Sequence, residues 1–455
     1  MFNNNINLAQ IEIKNKLEIT NISHVSMRDL TNIPGSEART ASAASGLQDP
    51  GYSFALLEYI ARFASAVDEK LVARRLLRYK LQDQAGKILP GERVAKCLKR
   101  RIPIKNRVEV WRSEKLKKAH YKNLMICGSV WMCPVCAAKI TERRRVELEK
   151  VIQDKRFKKV MVTFTLRHKK KNNLSDLYSG LIKSYRDLKG CRAWGRFAEE
   201  AGIVASIRGS EITWGEDSGW HPHFHVVFFL NKKELILDQT YKDWFTWEIT
   251  KLFVEKLAKN GYESMPGVGI KVGFDQDHVS AYAAKWGMDQ ELAKSPAKIA
   301  KGDHYTPFQM LLESAKGSDQ KEKFDRLFTI YAAAMKGKKQ LVWSKGAREL
   351  FDIGQEISDQ ELAAAALEKS IIFASLRDDH WKRIVAMAAR GELLEVAGKG
   401  DRQKFLIYLG ELGIIADQDI FFEEVNMQDD QEKEEKREMG KGRSMLEVRE
   451  VNEDY

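Results

Sequence analysis

One apolar stretch carries three histidines at alternate positions: Trp220-His221-Pro222-His223-Phe224-His225-Val226-Val227-Phe228-Phe229-Leu230. Alternate residues of a β-strand point to the same face, so His223 and His225 are predicted to present two imidazoles side by side. A sheet can hold a divalent metal ion in this way. Histidines with purely structural roles are the alternative, but they give no reason for three of the nine histidines to fall within five residues.

A third metal ligand is expected, because Mg²⁺ and Mn²⁺ prefer oxygen donors to imidazole nitrogens. The preceding predicted strand contains Glu211, and the short loop 215–219 predicts a hairpin that places this carboxylate across from the histidines. Glu216 is an alternative acid, although its loop position favours a solvated surface residue. His221 is interpreted as a group that supports the ligands or contacts DNA, with direct ligation as the alternative.

Around this stretch, short β-rich runs alternate with longer helical runs. The predicted elements are strand 159–167, helix 174–199, strand 207–214, strand 222–230, helix 239–259, strand 268–274 and helix 278–294. Their order predicts an α+β fold with a mostly antiparallel sheet of the split-βαβ type, which is ferredoxin-like or RRM-like. Further helices are predicted near 322–335, 359–376, 379–390 and 401–412.

Changes in composition along the chain predict five regions. They are a mobile N-terminal arm over 1–50, a helical lead-in and basic cysteine module over 51–150, a central domain with the histidine stretch over 151–300, a helical C-terminal domain over 301–416 and an acidic tail over 417–455. The sequence contains no recognisable internal repeat.

The charge of the chain is concentrated in two of these regions. The 455 residues carry a formal net charge of +12, and residues 91–150 alone hold 17 Lys and Arg against 6 Asp and Glu. Residues 417–455 hold 14 acidic against 6 basic residues. A body this basic is expected to meet a polyphosphate such as nucleic acid, whereas a solvated basic face is the alternative.

The sequence also excludes some classes of protein. No apolar run approaches the ~18–20 residues that a membrane-spanning helix needs, and the N-terminus lacks the pattern of a secretory signal. Five cysteines, three of them clustered, do not resemble a disulfide framework. We therefore expect a cytoplasmic protein that has no contact with a membrane.

The clustered cysteines are Cys127, Cys133 and Cys136, and the last two form a Cys-x-x-Cys pair at the spacing of zinc ligands. A structural zinc needs a fourth ligand, which His120 or Cys97 could supply, and we take His120 as the predicted one. Three ordinary buried cysteines or a redox pair are the alternatives. Arg143, Arg144 and Arg145 follow directly and are predicted to contact DNA phosphates.

A second element, Val279-Ser280-Ala281-Tyr282-Ala283-Ala284-Lys285-Trp286, places Tyr282 and Lys285 on one face of a predicted helix. Together with His223-Phe224-His225 and Met161-Val162-Thr163-Phe164-Thr165-Leu166, it resembles the three ordered motifs of the HUH endonucleases. More narrowly, it resembles the rolling-circle replication initiator (Rep) proteins of bacterial plasmids. The resemblance extends from about Cys127 to Gly346.

The resemblance implies a specific chemistry. His223, His225 and Glu211 would hold Mg²⁺ or Mn²⁺ against a phosphate of single-stranded DNA at a replication origin. Tyr282 would attack this phosphate to leave a 5′-phosphotyrosyl link and a free 3′-OH, and Lys285 would steady the phosphate. Origin duplex DNA, a host helicase and a host DNA polymerase would be the partners.

In one respect the sequence departs from this group, some members of which have a glutamate four residues before the tyrosine. His278 stands at that position here.

Two other functions fit parts of the sequence. A histidine-triad nucleotide hydrolase would use His221, His223 and His225 without a metal, and a zinc-bearing DNA-binding regulator would need only the cysteines and the charge.

Overall fold

The three histidines lie on a long strand, Gly219–Leu230, which forms a hairpin with the strand Ile203–Gly215. The hairpin turn needs a glycine at Gly219, because φ there is +75° and a Cβ would lie 2.7 Å from the Lys170 backbone. The computed structural model describes residues 67–231, 236–263, 269–275, 304–367, 369–416 and 420–421, all within one compact unit.

Strands and helices in the described part of the chain are numbered separately in chain order. The strands are β1 (Val108–Ser113), β2 (Lys118–Lys122), β3 (Lys158–Thr165), β4 (Ile203–Gly215), β5 (Gly219–Leu230), β6 (Ile270–Gly273), β7 (His304–Tyr305), β8 (Leu341–Trp343) and β9 (Ser370–Leu376). The helices are α1 (Val67–Ile88), α2 (Pro134–Ile152), α3 (Leu174–Lys189), α4 (Arg192–Ala201), α5 (Gln239–Lys259), α6 (Pro307–Ala315), α7 (Lys321–Met335), α8 (Ala347–Leu350), α9 (Asp359–Ala364), α10 (Asp378–Ala386), α11 (Arg390–Gly398) and α12 (Arg402–Glu411).

The main sheet has the strand order β6-β3-β5-β4-β7, and β8 also pairs with β4. Every neighbouring pair in this sheet is antiparallel. Along the chain, helices α3 and α4 connect β3 to β4, and α5 connects β5 to β6. In the sheet, β5 lies between β3 and β4, and β3 lies between β5 and β6. The prediction of an α+β fold with an antiparallel sheet and helices is confirmed.

Helix boundaries in this region follow from local capping. Asn173 accepts a hydrogen bond from the Ser175 amide at the start of α3, and Asp238 accepts one from the Tyr241 amide at the start of α5. Gly202 has a left-handed φ of +72° where α4 ends and β4 begins. The predicted single helix 174–199 is therefore two helices, which are separated at Gly190 and Cys191.

The two faces of β5 have different surroundings. Phe224 and Phe228 are fully buried in a large core, where Phe224 contacts the Tyr178 and Tyr185 rings of α3. Burial of such a side chain contributes about 1.5–3 kcal/mol. On the opposite face, Val227 and Phe229 pack in a smaller core with residues that include Phe157 and Phe351. The histidines lie on this second face and are only partly buried.

A second sheet joins the cysteine module to the C-terminal part of the chain. Its order is β2-β1-β9, and β9 pairs antiparallel with β1. The prediction of one helix over 359–376 is wrong beyond Ala364, because 370–376 is strand β9. The region 301–416, which was predicted to be helical, contributes β7 and β8 to the main sheet and β9 to the second sheet.

Candidate metal sites and their surroundings

Glu211, His223 and His225 come together on the main sheet because of the hairpin register. Glu211 on β4 lies directly opposite His223 on β5, and His225 lies opposite Gly209 two residues along. Alternate positions share a face, so the two imidazoles and the carboxylate point the same way. The structure therefore brings together the three residues that the sequence predicts as ligands of a divalent ion.

The three side chains are close enough to share one ion. Oε2 of Glu211 lies 3.2 Å from Nε2 of His223 and 3.1 Å from Nε2 of His225. Two ligands that are each about 2.1 Å from an ion, at 90–110° to one another, are about 3.0–3.4 Å apart. The spacing of these donor atoms thus fits a bound metal, and 38% of the Glu211 side chain remains exposed to a ligand.

Hydrogen bonds on the far side of each ring orient both imidazoles. Nδ1 of His223 lies 3.4 Å from the His221 carbonyl oxygen. Because a carbonyl oxygen can only accept, Nδ1 is the donor of this hydrogen bond. Nδ1 of His225 lies 3.0 Å from the Thr163 hydroxyl on β3. Both Nε2 atoms are thereby directed at Glu211, and partners of this kind fix the ring orientation of metal ligands.

Glu211 is held in its charged form. Burial alone would raise the pKa of this carboxyl group, but hydrogen bonds and charge interactions with His223 and His225 outweigh burial and hold the pKa well below its usual range. A carboxylate that stays ionised supplies the negative oxygen that hard cations prefer.

His221, the remaining histidine of β5, has a different partner. Nδ1 of His221 lies 2.8 Å from Nε2 of His168, whose own Nδ1 donates to the Ser218 carbonyl at 3.1 Å. Burial and the neighbouring histidines lower the pKa of His221 to about 4, so this ring is neutral at pH 7. His168 was missed by the sequence analysis, although it lies only two residues after Leu166, where the first predicted motif ends.

A second group of potential ligands consists of Cys97, Cys127, Cys133 and Cys136, all of them buried. Three of the Sγ–Sγ distances are 3.5 Å (Cys97–Cys136), 3.6 Å (Cys127–Cys136) and 3.9 Å (Cys97–Cys133). These distances are too long for a disulfide. They match the edge of about 3.8 Å that four sulfurs form around an ion 2.3 Å away.

N–H groups near the cysteines donate hydrogen bonds to the sulfur atoms, as is expected around thiolate ligands. The Cys127 amide donates to Sγ of Cys97 at 3.3 Å, and the Gln82 side chain donates to Sγ of Cys133 at 3.1 Å. Such donors stabilise negative charge on sulfur. The four cysteines could therefore hold a tetrahedral metal ion.

The fourth member of this group is Cys97, and not the predicted His120. Cys97 lies at the end of a 3₁₀ turn, Arg93–Lys96, that follows α1. His120 lies on β2 outside the group, and its ring neighbours Trp111 at a centroid distance of 6.4 Å. The sequence separates Cys97 from Cys127 by 30 residues, so spacing alone did not favour it over His120.

The three consecutive arginines of α2 have three different surroundings. Arg144 is buried and forms an ion pair with Asp359 of α9, so it does not face the surface that a DNA phosphate would reach. Arg145 forms ion pairs with Glu142 and Glu149 on its own helix. Arg143 is half-buried and donates to the Ala366 carbonyl at 3.4 Å. The prediction that all three contact DNA is corrected for Arg144.

The buried ion pair gives a prediction about stability. Asp359→Ala should reduce the free energy of unfolding by about 2–4 kcal/mol, because it leaves the Arg144 charge buried without its carboxylate. Arg144→Met should cost less, since Asp359 keeps some contact with water and 29% of its side chain is exposed. Urea unfolding of both variants checks this order, and equal losses would contradict it.

Tyr282, Lys285 and His278 lie outside the described residues, as does the predicted helix 278–294. The structure therefore does not test the predicted nucleophile. In the described ranges, none of the helices combines the length and the apolar character that crossing a bilayer would need.

Comparisons with known proteins agree with the predicted family. "Protein rep" of Streptomyces lividans is 25% identical over 314 residues, covering 53% of this chain and 68% of that protein. "Neomycin resistance protein" of Streptomyces cyanogenus is 30% identical over 131 residues, which are 23% of this chain and 30% of that protein. No solved structure matches the chain. The family model described as "Replication protein" matches residues 118–350, just over half of the chain, which therefore belongs to the Rep_1 family of replication proteins.

Proposed function

We propose that this protein initiates rolling-circle replication of a plasmid by nicking single-stranded DNA at the origin, as an endonuclease of the HUH type. The observation that carries the proposal is the convergence of Glu211, His223 and His225 on one face of adjacent antiparallel strands. Membership of a replication protein family supports the proposed role in plasmid replication.

The strand order of the main sheet supports the same class. In the order β6-β3-β5-β4, the strands joined by helices are parallel to one another and separated by one antiparallel strand. This is the arrangement expected of a split-βαβ sheet. The two central strands, β3 and β5, then carry Thr163 and the histidines, so the proposed site lies at the middle of the sheet.

Glu211, His223 and His225 would hold Mg²⁺ or Mn²⁺. When bound, such an ion polarises the phosphoryl oxygens and stabilises the negative charge that develops during phosphoryl transfer. Thr163 and the His221 carbonyl would keep the two imidazoles in place, so little reorganisation would be needed when DNA arrives.

Tyr282 is the proposed nucleophile. Its hydroxyl oxygen would form a bond to the scissile phosphorus while the bond from phosphorus to the 3′ oxygen breaks. The products are a 5′-phosphotyrosyl link and a free 3′-OH, because the tyrosine proton leaves to solvent or a base and the departing 3′ oxygen takes up a proton from solvent. Attack by a 3′-OH on the same link would reverse the step and rejoin the strand. Lys285 would steady the phosphate, and His278 stands where some related proteins have a glutamate.

We assign a structural role to the four cysteines, which would hold Zn²⁺. The basic segment 91–150 around them would contact phosphates of duplex origin DNA. A host helicase would unwind the duplex while a host DNA polymerase extends the free 3′-OH.

The decisive experiment is the detection of a covalent adduct. Purified protein with Mn²⁺ and single-stranded DNA from its own replicon should give a slow band on a denaturing gel. Tyr282→Phe should reduce this band by at least about 10³-fold, because phenylalanine has no nucleophilic oxygen. Tyr262→Phe is the matched control, since the Tyr262 hydroxyl only donates to the Asp176 carbonyl at 2.9 Å.

Two results would contradict the proposal. A band of equal intensity in Tyr282→Phe would place the nucleophile elsewhere. If folded protein binds these DNAs with no adduct under any divalent metal, hydrolysis of small nucleotides at His221, His223 and His225 becomes the better explanation.

A further inference from the structure

A cavity of about 100 Å³ lies in the cysteine module, and it is lined by residues of α1, α2, α11 and the β1–β2 hairpin. A water molecule needs about 10–15 Å³ of such space, so the cavity has room for a ligand that replaces several waters. Glu211, His223 and His225 are absent from its lining, so it is separate from the proposed nicking site.

The lining of this cavity is strongly basic. It includes six cationic side chains: Arg75, Arg78, Lys117, Lys118, Lys139 and Arg143. Among the lining residues, which all belong to the described ranges, Glu395 supplies the single carboxylate. That carboxylate is already bound by Arg75, with two contacts of 2.7 Å. The cavity therefore has a large excess of positive charge.

Cations that are gathered around one cavity produce a positive potential that attracts an anion. Burial, and then the Arg143 charge, lower the pKa of the Lys139 ammonium, although the nearby Cys136 thiol favours its charged form. A metal-bound cysteine group would balance part of this charge, because Lys139 follows Cys136 by one helical turn on α2. Lys117 and Lys118 of the β1–β2 hairpin, and Arg75 and Arg78 of α1, also line this cavity.

His120 adds two buried ring nitrogens to the lining of this cavity. It lines the cavity, is 6% exposed, and neither ring nitrogen has a hydrogen bond within the part of the chain that the structure describes. Burial and the charges of Lys139 and Lys122 lower the pKa of this imidazole to about 3, so the ring is neutral and offers one donor and one acceptor. A buried polar side chain of this kind is normally satisfied, and a ligand in the cavity would satisfy it.

Apolar and aromatic side chains complete the walls, among them Tyr79, Val135 and Leu394. A cavity of about 150 Å³ can bind one benzene molecule, so a cavity of about 100 Å³ has room for a phosphate group but not for a whole nucleotide. We propose that this cavity binds the phosphate of a nucleotide, with the lining cations and His120 in contact with that phosphate. The source of the nucleotide is either a DNA strand or the free pool, and this proposal does not depend on the nicking activity.

The test uses the full-length, metal-loaded protein and titration calorimetry with deoxyadenosine monophosphate. Lys139→Met and His120→Leu should each weaken binding about tenfold or more, since a hydrogen bond to a charged group or a buried polar partner is lost. Lys155→Gln is the matched control for charge, because Lys155 is exposed and lies outside the cavity, and it should change affinity less than twofold.

A second measurement needs no variant. The monophosphate should raise the unfolding temperature of the wild-type protein, whereas deoxyadenosine should not, because it lacks the phosphate. Displacement of the monophosphate by a short single-stranded DNA identifies a DNA strand as the source, and failure of displacement identifies the free nucleotide. Equal binding of deoxyadenosine, no saturable binding at millimolar monophosphate, or an equal loss in Lys155→Gln would overturn the proposal.

Discussion

Replacing Glu211 by glutamine is expected to lower metal-dependent nicking by about a hundredfold or more. The substitution keeps the shape of the side chain but removes the charge from the oxygen that lies 3.1–3.2 Å from both imidazole Nε2 atoms. Two neutral imidazoles and an amide are poor ligands for Mg²⁺ and Mn²⁺, which favour anionic oxygen. Even changes to groups that merely orient a ligand typically cost 10- to 100-fold in metal affinity.

Glu216→Gln is the matched control for this prediction, because it makes the same chemical change five residues along the chain. The Glu216 carboxylate lies in the hairpin turn and forms an ion pair with Lys323 at 2.7 Å. Exposed pairs of this kind contribute little, so nicking should stay within about twofold of wild type. Mn²⁺ binding, followed by electron paramagnetic resonance, separates loss of the metal from loss of DNA contacts. Unchanged Mn²⁺ affinity in Glu211→Gln would remove Glu211 from the site.

The grouping of Glu211, His223 and His225 could be predicted because it is encoded locally. Three histidines with a period of two, a short glycine-flanked loop and an acid on the preceding strand specify a hairpin register that sets Glu211 opposite His223. The helices α3, α5 and α7 were found for the same reason, since each has a long amphipathic or apolar pattern of its own.

What the sequence did not reveal depends on contacts between distant segments. Strand β9 was interpreted as helix because its partner, β1, lies about 260 residues earlier in the chain and leaves no local signal. Arg144 was interpreted as a surface residue, and only Asp359 of α9 explains its burial. His168 acquires a role only because the sheet brings it to His221.

Replacing Cys97 by serine is expected to destabilise the whole cysteine module. Cys97 belongs to a 3₁₀ turn after α1, Cys127 to an irregular segment, and Cys133 and Cys136 to the start of α2, so an ion held by all four would link three segments. Structural zinc contributes about 10–16 kcal/mol. Shared evenly among four thiolates, this is about 2.5–4 kcal/mol each, or roughly a 10²- to 10³-fold loss of zinc affinity.

The loss of stability in Cys97→Ser should extend to the C-terminal part of the chain. The buried Arg390 guanidinium of α11 donates to the Leu98 carbonyl at 3.0 Å and to Gln82 at 2.7 Å, and Gln82 in turn donates to Cys133. Loss of the metal should therefore loosen both α11 and the pairing of β9 with β1.

Zinc content and thermal unfolding measure this effect, with Cys191→Ser as the matched control. Cys191 lies outside the group, at the start of α4, and its thiol only donates to the Leu188 carbonyl at 3.2 Å. We expect the control to retain its metal and its unfolding temperature within a few degrees, and Cys97→Ser to lose both. Full zinc occupancy and unchanged stability in Cys97→Ser would show that three cysteines suffice, and that the tetrahedral arrangement of sulfurs does not hold this module together.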